Sequence, residues 1–144
     1  MIRQANNNDL NIILELSQLL WKNSEKEELQ NEMLRYINSK NSIVLIAYAE
    51  DEPIGFVQCS LRHDYVEGTK SSPVGYLEGI YLKPYYRSKG IGRKLLEKCE
   101  VWAKNQGCLE FASDCGINNV DSLKFHLSTG FEEVSRVICF KKEL

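Results

Sequence analysis

"YYRSKGIGRKLL", Tyr85 to Leu96, sits where one kind of periodicity gives way to another. Before it, "VGYLEGIYL" (74–82) reads as a strand and ends at Lys83-Pro84, where the missing proline N–H stops a ladder. After Gly90, residues Ile91, Leu95, Leu96, Cys99, Trp102 and Ala103 fall on one face at helical spacing, and Gly107 fits the stop. The stretch is therefore a strand-to-helix turn with two glycines, Gly90 and Gly92, and the cations Arg87, Lys89 and Arg93. First-turn helix amides have no intrahelical partner, and the dipole adds partial positive charge there. A glycine turn of this kind can cradle an anion, in particular a diphosphate. The dinucleotide fingerprint GxGxxG is excluded, because its third position is Leu95, and no GxxxxGK[ST] nucleotide loop is present. On spacing alone, an ordinary glycine turn before a core helix stays open.

Outward from this turn the chain reads as one mixed α/β domain over residues 1–144. "IRQA" is a short opening strand. Asn8 or Asp9 can cap a helix through Leu20, and Ser24 with Glu27 has the form of a capping box for a second helix to about Asn38. "SIVLIAYA" and "IGFVQCSLRH", joined by "EDEPIG", predict an antiparallel hairpin over 42–63. "DYVEGTKSSP" is a polar loop. "LEFASD" is a strand, which makes the strand–helix–strand stretch from Val74 to Asp114 a parallel crossover. "NNVDSLKFHLST" is a helix stopped by Gly130, and "FEEVSRVICFKK" closes the chain as one or two strands. The order βααβββαβαβ predicts a mostly antiparallel central sheet with flanking helices.

Composition narrows the function classes. Eighteen basic against twenty acidic residues give a formal charge of −2, where a general nucleic-acid binder would carry an excess of Lys and Arg. The longest apolar run, Ile43 to Ala49, is interrupted by Tyr48 and is too short to span a bilayer, and no signal segment opens the chain. Neither nucleic acid nor membrane is expected as a partner, and a cytoplasmic location is. Five cysteines, none spaced CxxC, with only His63 and His126 to assist, predict reduced thiols and no metal site.

Arg87-x-x-Gly90-x-Gly92 after a strand ending in Pro84, followed by an amphipathic helix, resembles the Gcn5-related N-acetyltransferases, and "NNVDSLKFHLSTGFEE" resembles that family's closing helix and Gly-Phe exit. "LRHDYVEGTKSSPVGYLEGIYLKPYYR" and "EFASDCGINN" further resemble its aminoglycoside 6'-N-acetyltransferases. The resemblance implies acetyl transfer from acetyl-CoA, as cosubstrate, to the 6'-amine of a polycationic aminoglycoside by direct attack in a ternary complex, and it suggests a homodimer. Carried over residue by residue, it implies that the amides of Ser88, Lys89, Gly90, Ile91, Gly92 and Arg93, opened by Arg87, hold the pyrophosphate. It assigns Ile80, Tyr81 and Leu82 to the thioester carbonyl, Asn119 to a further cofactor contact, and Trp21 and Tyr65 to the aminocyclitol pocket.

The amine must lose a proton. Glu78, two residues before Ile80, falls by strict alternation on the face of Ile80 and Leu82, with Gly79 suited to a bulge; Asp114 ends the neighbouring strand. Two carboxylates at one crevice mouth attract a polycation and supply a proton acceptor, for which Asp114 is the preferred residue and Glu78 its companion in clamping the amine. The readings as a solvated edge Glu and a helix-capping Asp remain beside this. His126 stands where many acetyltransferases place a thiolate-protonating Tyr, and it can equally pack or hydrogen-bond. Ser135 stands where the aminoglycoside subgroup often has an acidic residue, which removes one pocket charge. Acetylation of a polyamine or a peptide amino terminus, and a non-catalytic acyl-CoA sensor, are the alternatives.

Overall fold

In the computed structural model, which describes residues 1–144, five strands lie side by side in sequence order. They are β1 (Ile2–Gln4), β2 (Ser42–Ala49), β3 (Glu52–Arg62), β4 (Val74–Leu82) and β5 (Phe111–Ser113). The first four pair antiparallel and β4 with β5 pairs parallel, the mixed and mostly antiparallel sheet the sequence predicts. Helices α1 (Leu10–Leu20) and α2 (Lys26–Asn38) precede the hairpin, α3 (Ile91–Asn105) makes the crossover, and α4 (Val120–Ser128) follows β5.

The continuous apolar run of β2 has a simple cause: both faces of the strand are covered. Val44 and Ile46 join Phe56 in one cluster with Ile13, Leu14 and Leu16 of α1 and Leu29 and Met33 of α2. Ile43, Leu45 and Ala47 join Val57, Cys59 and Leu77 in a second with Leu95, Leu96 and Cys99 of α3. Each such buried side chain stabilises the fold by about 1.5–3 kcal/mol. The sheet thus has a helix-pair face and an α3 face.

Alternation fails once, in β4. Cys59 pairs with Leu77 but Gln58 pairs with Gly79, so Glu78 is an extra residue opposite no partner. This β-bulge corrects the expectation for Glu78. Ile80 and Leu82 pack on the α3 face, while Tyr81 packs on the helix-pair face with Phe56. Glu78 sits on the helix-pair face too, because its carboxylate accepts from Ser60 Oγ at 2.5 Å, and Ser60 is two residues from Gln58 on β3.

Helix starts differ from the expected caps. Asn6 does the capping at the amino end: its side chain accepts from Asn8 N–H at 2.9 Å, and Asp9 Oδ2 accepts from Asn6 N–H at 2.8 Å. Glu25, in an extended conformation, stands at the start of α2 with no side-chain cap, so Ser24 falls one residue too early to serve. The closing strands are not formed. Residues after Phe131 pair with nothing in the sheet, and Val137, Ile138 and Phe140 are 75, 82 and 89% exposed.

The buried Asp9 ties β1 to the start of α1 through a two-pronged pair with Arg3, at 2.7 and 2.8 Å. The Arg3 guanidinium holds the Asp9 carboxyl below the usual aspartate range, against burial, which pushes the other way. Its stabilisation is therefore complete above about pH 4, the unfolded value, and is lost as pH falls through the lower folded value. Asp9→Asn should cost about 2–4 kcal/mol at pH 7 by denaturant unfolding. That difference should shrink in acid; a constant difference at pH 7 and pH 3 would contradict it.

Candidate functional site

The glycine turn is built by backbone strain. Ser88 (φ 61°) and Gly90 (φ 84°) both adopt the left-handed conformation, and a Cβ on Gly90 would meet nothing within 4 Å. Gly90 is therefore required by its dihedral; an L-residue there would cost roughly 1–2 kcal/mol. It also provides no side-chain cap, so the first amides of α3 stay free for an outside acceptor. Successive amides around alternating left- and right-handed residues form an anion-binding concavity. Ser88 holds this conformation where glycine would be the easy choice, as Glu50 does in the β2–β3 turn.

Two sequence expectations change here. Gly92 does not leave its space to a ligand: its missing Cβ would stand 3.1 Å from the Phe125 ring of α4. Its smallness serves helix packing. The cations also have partners: Arg87 Nε donates to the Leu82 carbonyl at 2.8 Å, Lys89 Nζ lies 4.1 Å from the Tyr85 ring centre, and Arg93 donates to the Ser128 carbonyl at 2.6 Å. They place positive charge around the turn, and no side chain caps the helix that follows it.

Beside the turn, β4 and β5 pair only from Gly75–Phe111 to Leu77–Ser113. From Glu78 to Leu82, β4 continues with no β5 partner, which leaves the backbone groups that face that edge, those of Ile80 and Leu82, unpaired by the sheet. The bulge thus falls where the parallel pairing ends.

On the helix-pair face, the bulge organises a charged chain. Glu78 accepts from Ser60 and from Arg62 at 2.7 Å. The Arg62 guanidinium lies 3.4 Å over the Tyr76 ring, and the Tyr76 hydroxyl donates to Asp114. Burial, then the hydrogen bond to Asp114, raises the Tyr76 hydroxyl above its ordinary value, so it stays a donor. Burial opposes the charge on Arg62, but Glu78 outweighs it and the guanidinium is held charged. The structure therefore brings Glu78 and Asp114 to one place, joined through Arg62 and Tyr76. Sequence reading missed both linkers; alternation from Glu78 back to Tyr76 was the available signal.

A cavity of about 290 Å³ opens beside Glu78, lined by Trp21, Ser24, Leu29, Glu32, Gln58 and Glu78. Trp21 ends α1, stacks edge-on to Phe56 at 6.0 Å, and lies across Gly79, whose added Cβ would stand 2.6 Å from the indole. The residue is both core packing and cavity wall. Gln58 is fully buried and neither its amide oxygen nor its nitrogen has a partner. Such orphaned groups cost on the order of 1–3 kcal/mol. Glu32 makes no ion pair.

The remaining candidates are placed apart from the cavity lining. Tyr65, 75% exposed, lies in the β3–β4 loop, where its hydroxyl accepts from Gly68 N–H at 3.4 Å. Glu110 fastens that loop by accepting from Lys70 N–H and Ser71 Oγ. Ser135 lies in the exposed tail, next to Val134, which rests against Gly68. Asn119 caps α4 by accepting from Ser122 N–H at 3.1 Å. His126 Nδ1 meets the Ser122 carbonyl at 2.6 Å and Nε2 meets Ser113 Oγ at 2.8 Å. Both ring nitrogens are thus engaged, and the ring ties α4 to β5.

The sequence profile of the Acetyltransferase (GNAT) family matches residues 11–131. The chain is 42% identical over 143 residues to an aminoglycoside N(6')-acetyltransferase type 1 of Acinetobacter haemolyticus, covering 99% of this chain and 98% of that one. It is 38% identical over 141 residues to the enzyme so named in Salmonella typhimurium, covering 98% and 97%. Among solved structures, AAC(6')-Iy in complex with the bisubstrate analog CoA-S-monomethyl-acetylneamine superposes with a TM-score of 0.94 at 37% identity, covering 100% of this chain and 98% of that one. The apo 6'-N-acetyltransferase AAC(6')-IG from Acinetobacter haemolyticus superposes with a TM-score of 0.94 at 39% identity, covering 100% and 99%.

Gly79→Ala tests the bulge as the hinge of this site. The added methyl group must push the Trp21 indole off β4, and the variant should lose about 1–3 kcal/mol of stability. Denaturant unfolding followed by tryptophan fluorescence reads both effects, and unchanged stability with an unchanged spectrum would show that the close approach does not matter.

Proposed function

The chain belongs to the GNAT acetyltransferase family, and we propose that it transfers an acetyl group from acetyl-CoA to the 6'-amine of aminoglycosides. The observation that carries this reading is the bulge. At one point it joins the unpaired edge of β4 to a carboxylate-lined cavity of a size for a sugar ring. The resemblance of the relatives extends over nearly the whole chain and gives the substrate class.

Acetyl-CoA supplies an activated acetyl thioester. The strained turn fits its diphosphate: Gly90 leaves open space, no side chain caps α3, and the amides of Ser88 to Arg93 are free to donate. Backbone N–H groups at Ile80 to Leu82 donate to the thioester carbonyl, where negative charge grows during attack. Asn119 has a side-chain NH2 to spare beyond its capping oxygen. Glu78 holds the substrate ammonium at the cavity mouth. Asp114, oriented by the Tyr76 hydroxyl, accepts the proton the amine must shed. Trp21 provides an aromatic wall for the sugar, and Tyr65, exposed in the β3–β4 loop, an aromatic ring for a distal part of the substrate.

The same reading makes the protein a cytoplasmic homodimer. The exposed apolar residues of the tail, Val137, Ile138 and Phe140, are suited to cover by a second copy. Unpaired Cys59, Cys99 and Cys108, all buried, accord with a reducing compartment.

Thiol release from acetyl-CoA, followed with neamine, a polyamine and a peptide as acceptors, tests the activity. Release is expected with neamine, and Asp114→Asn should lower kcat by about 10²-fold or more. Release with the peptide alone would overturn the substrate assignment, and no release with any amine would leave a non-catalytic acyl-CoA binder. Light scattering tests the assembly: the full chain should have twice its sequence mass, and deletion of residues 133–144 should yield monomers. A monomeric full chain would refute the dimer.

A further inference from the structure

We propose that Gln58, together with Glu32, is a specificity-determining pair that reads the hydroxyl and ammonium groups of an amino-sugar ring in the cavity beside Glu78. The inference deepens the acetyltransferase reading and rests on it. Its starting point is an imbalance in the apo protein. Gln58 lies at the centre of the sheet, fully buried, with both ends of its amide unpaired. Its neighbours on the same face of β3 are Phe56, packed in the core, and Ser60, bonded to Glu78. Only Gln58 is left without a partner, and it is one of the six residues that line the cavity.

An amide at this place offers two donors and an acceptor in fixed positions. A ligand that satisfies it must carry both kinds of group within a small span, as vicinal hydroxyl and amine substituents of a sugar ring do. A purely cationic chain offers no acceptor for the amide donors. The cavity volume, about 290 Å³, suits one such ring with room for water.

Glu32 adds the second half of the recognition. Glu78 already has Arg62 and Ser60, whereas Glu32 on α2 has no cationic partner. The Tyr36 hydroxyl, one helical turn further along, is raised by burial and by the carboxylates of Glu78 and Glu32. It lies near the Gln58 amide without meeting it in hydrogen-bonding geometry. The field in the cavity is therefore negative, and an ammonium on the ring answers it. Trp21 closes the apolar side. An amino sugar with a charged amine besides the reacting one is the class of ligand this wall selects.

Gln58→Leu keeps the bulk and removes the orphaned amide. Steady-state kinetics with neamine should show KM raised about tenfold with kcat within threefold of wild type, because the lost contact binds ground state and transition state alike. The KM for acetyl-CoA should be unchanged, and the melting temperature the same or higher, since an unsatisfied buried group has gone. A structural role would move stability and leave the neamine KM alone, and that result would overturn the proposal. Should Gln58→Leu fail to fold, Glu32→Gln on the helix surface carries the same test, with KM for neamine again raised and acetyl-CoA unaffected. Wild-type protein that acetylates no aminoglycoside sinks the functional reading itself. Active wild type with both variants unchanged sinks only the role of this pair.

Discussion

The extra residue in β4 is the constraint on which the site depends. Without the bulge, strict alternation would put Glu78 and Tyr76 on one face and carry Ile80 and Leu82 onto it as well. With it, Glu78 stays on the helix-pair face while Ile80 and Leu82 return to the core under α3. One strand thereby serves two tasks. Its first half is a buried sheet member, and its second half presents backbone groups to a cleft and a carboxylate to a cavity. Gly79 makes this possible, because only a residue without a side chain lets Trp21 lie across the kink.

Much of this was legible in the sequence, for identifiable reasons. The β2–β3 hairpin, β4, α3 and the parallel return to β5 follow from strong apolar periodicity and well-placed glycines. The GNAT resemblance followed from Arg87-x-x-Gly90-x-Gly92, its flanking strand and helix, and the Gly-Phe exit. The facing of Glu78 was misread although a bulge at Gly79 was expected, because alternation was still counted straight through it. One or two closing strands were expected from the apolar residues of "FEEVSRVICFKK", but an apolar segment shows a need for a partner and not whether its own chain supplies one. Ser24 matched a capping box by spacing, while the extended backbone of Glu25 shifted the helix start past it.

Gly90 and Gly92 show how the same residue type answers different needs two positions apart. Gly90 is there for its dihedral, with empty space around it; Gly92 is there for contact, with Phe125 against it. The sequence pattern treats them as a unit, and so does the family motif. Physically they link the glycine turn to α4, so that the helix carrying Asn119 and His126 is registered against the turn by packing. The ring of His126, bonded at both nitrogens, extends that registration to β5.

The charged chain from Ser60 to Asp114 solves a problem that any site for a polycation faces when empty. Carboxylates gathered beside a cavity repel one another and invite collapse or rearrangement of their strands. Arg62 offsets this by pairing with Glu78 and covering the Tyr76 ring, which keeps Tyr76 aimed at Asp114. The guanidinium is half-exposed, and a pair of that kind contributes only about 0–1 kcal/mol. Its weakness is useful. A pair strong enough to matter for stability would hold the Glu78 carboxylate fixed, whereas this one can share or yield it at small cost. The geometry is held by the bulge and the core beneath it, so the electrostatics above can remain exchangeable.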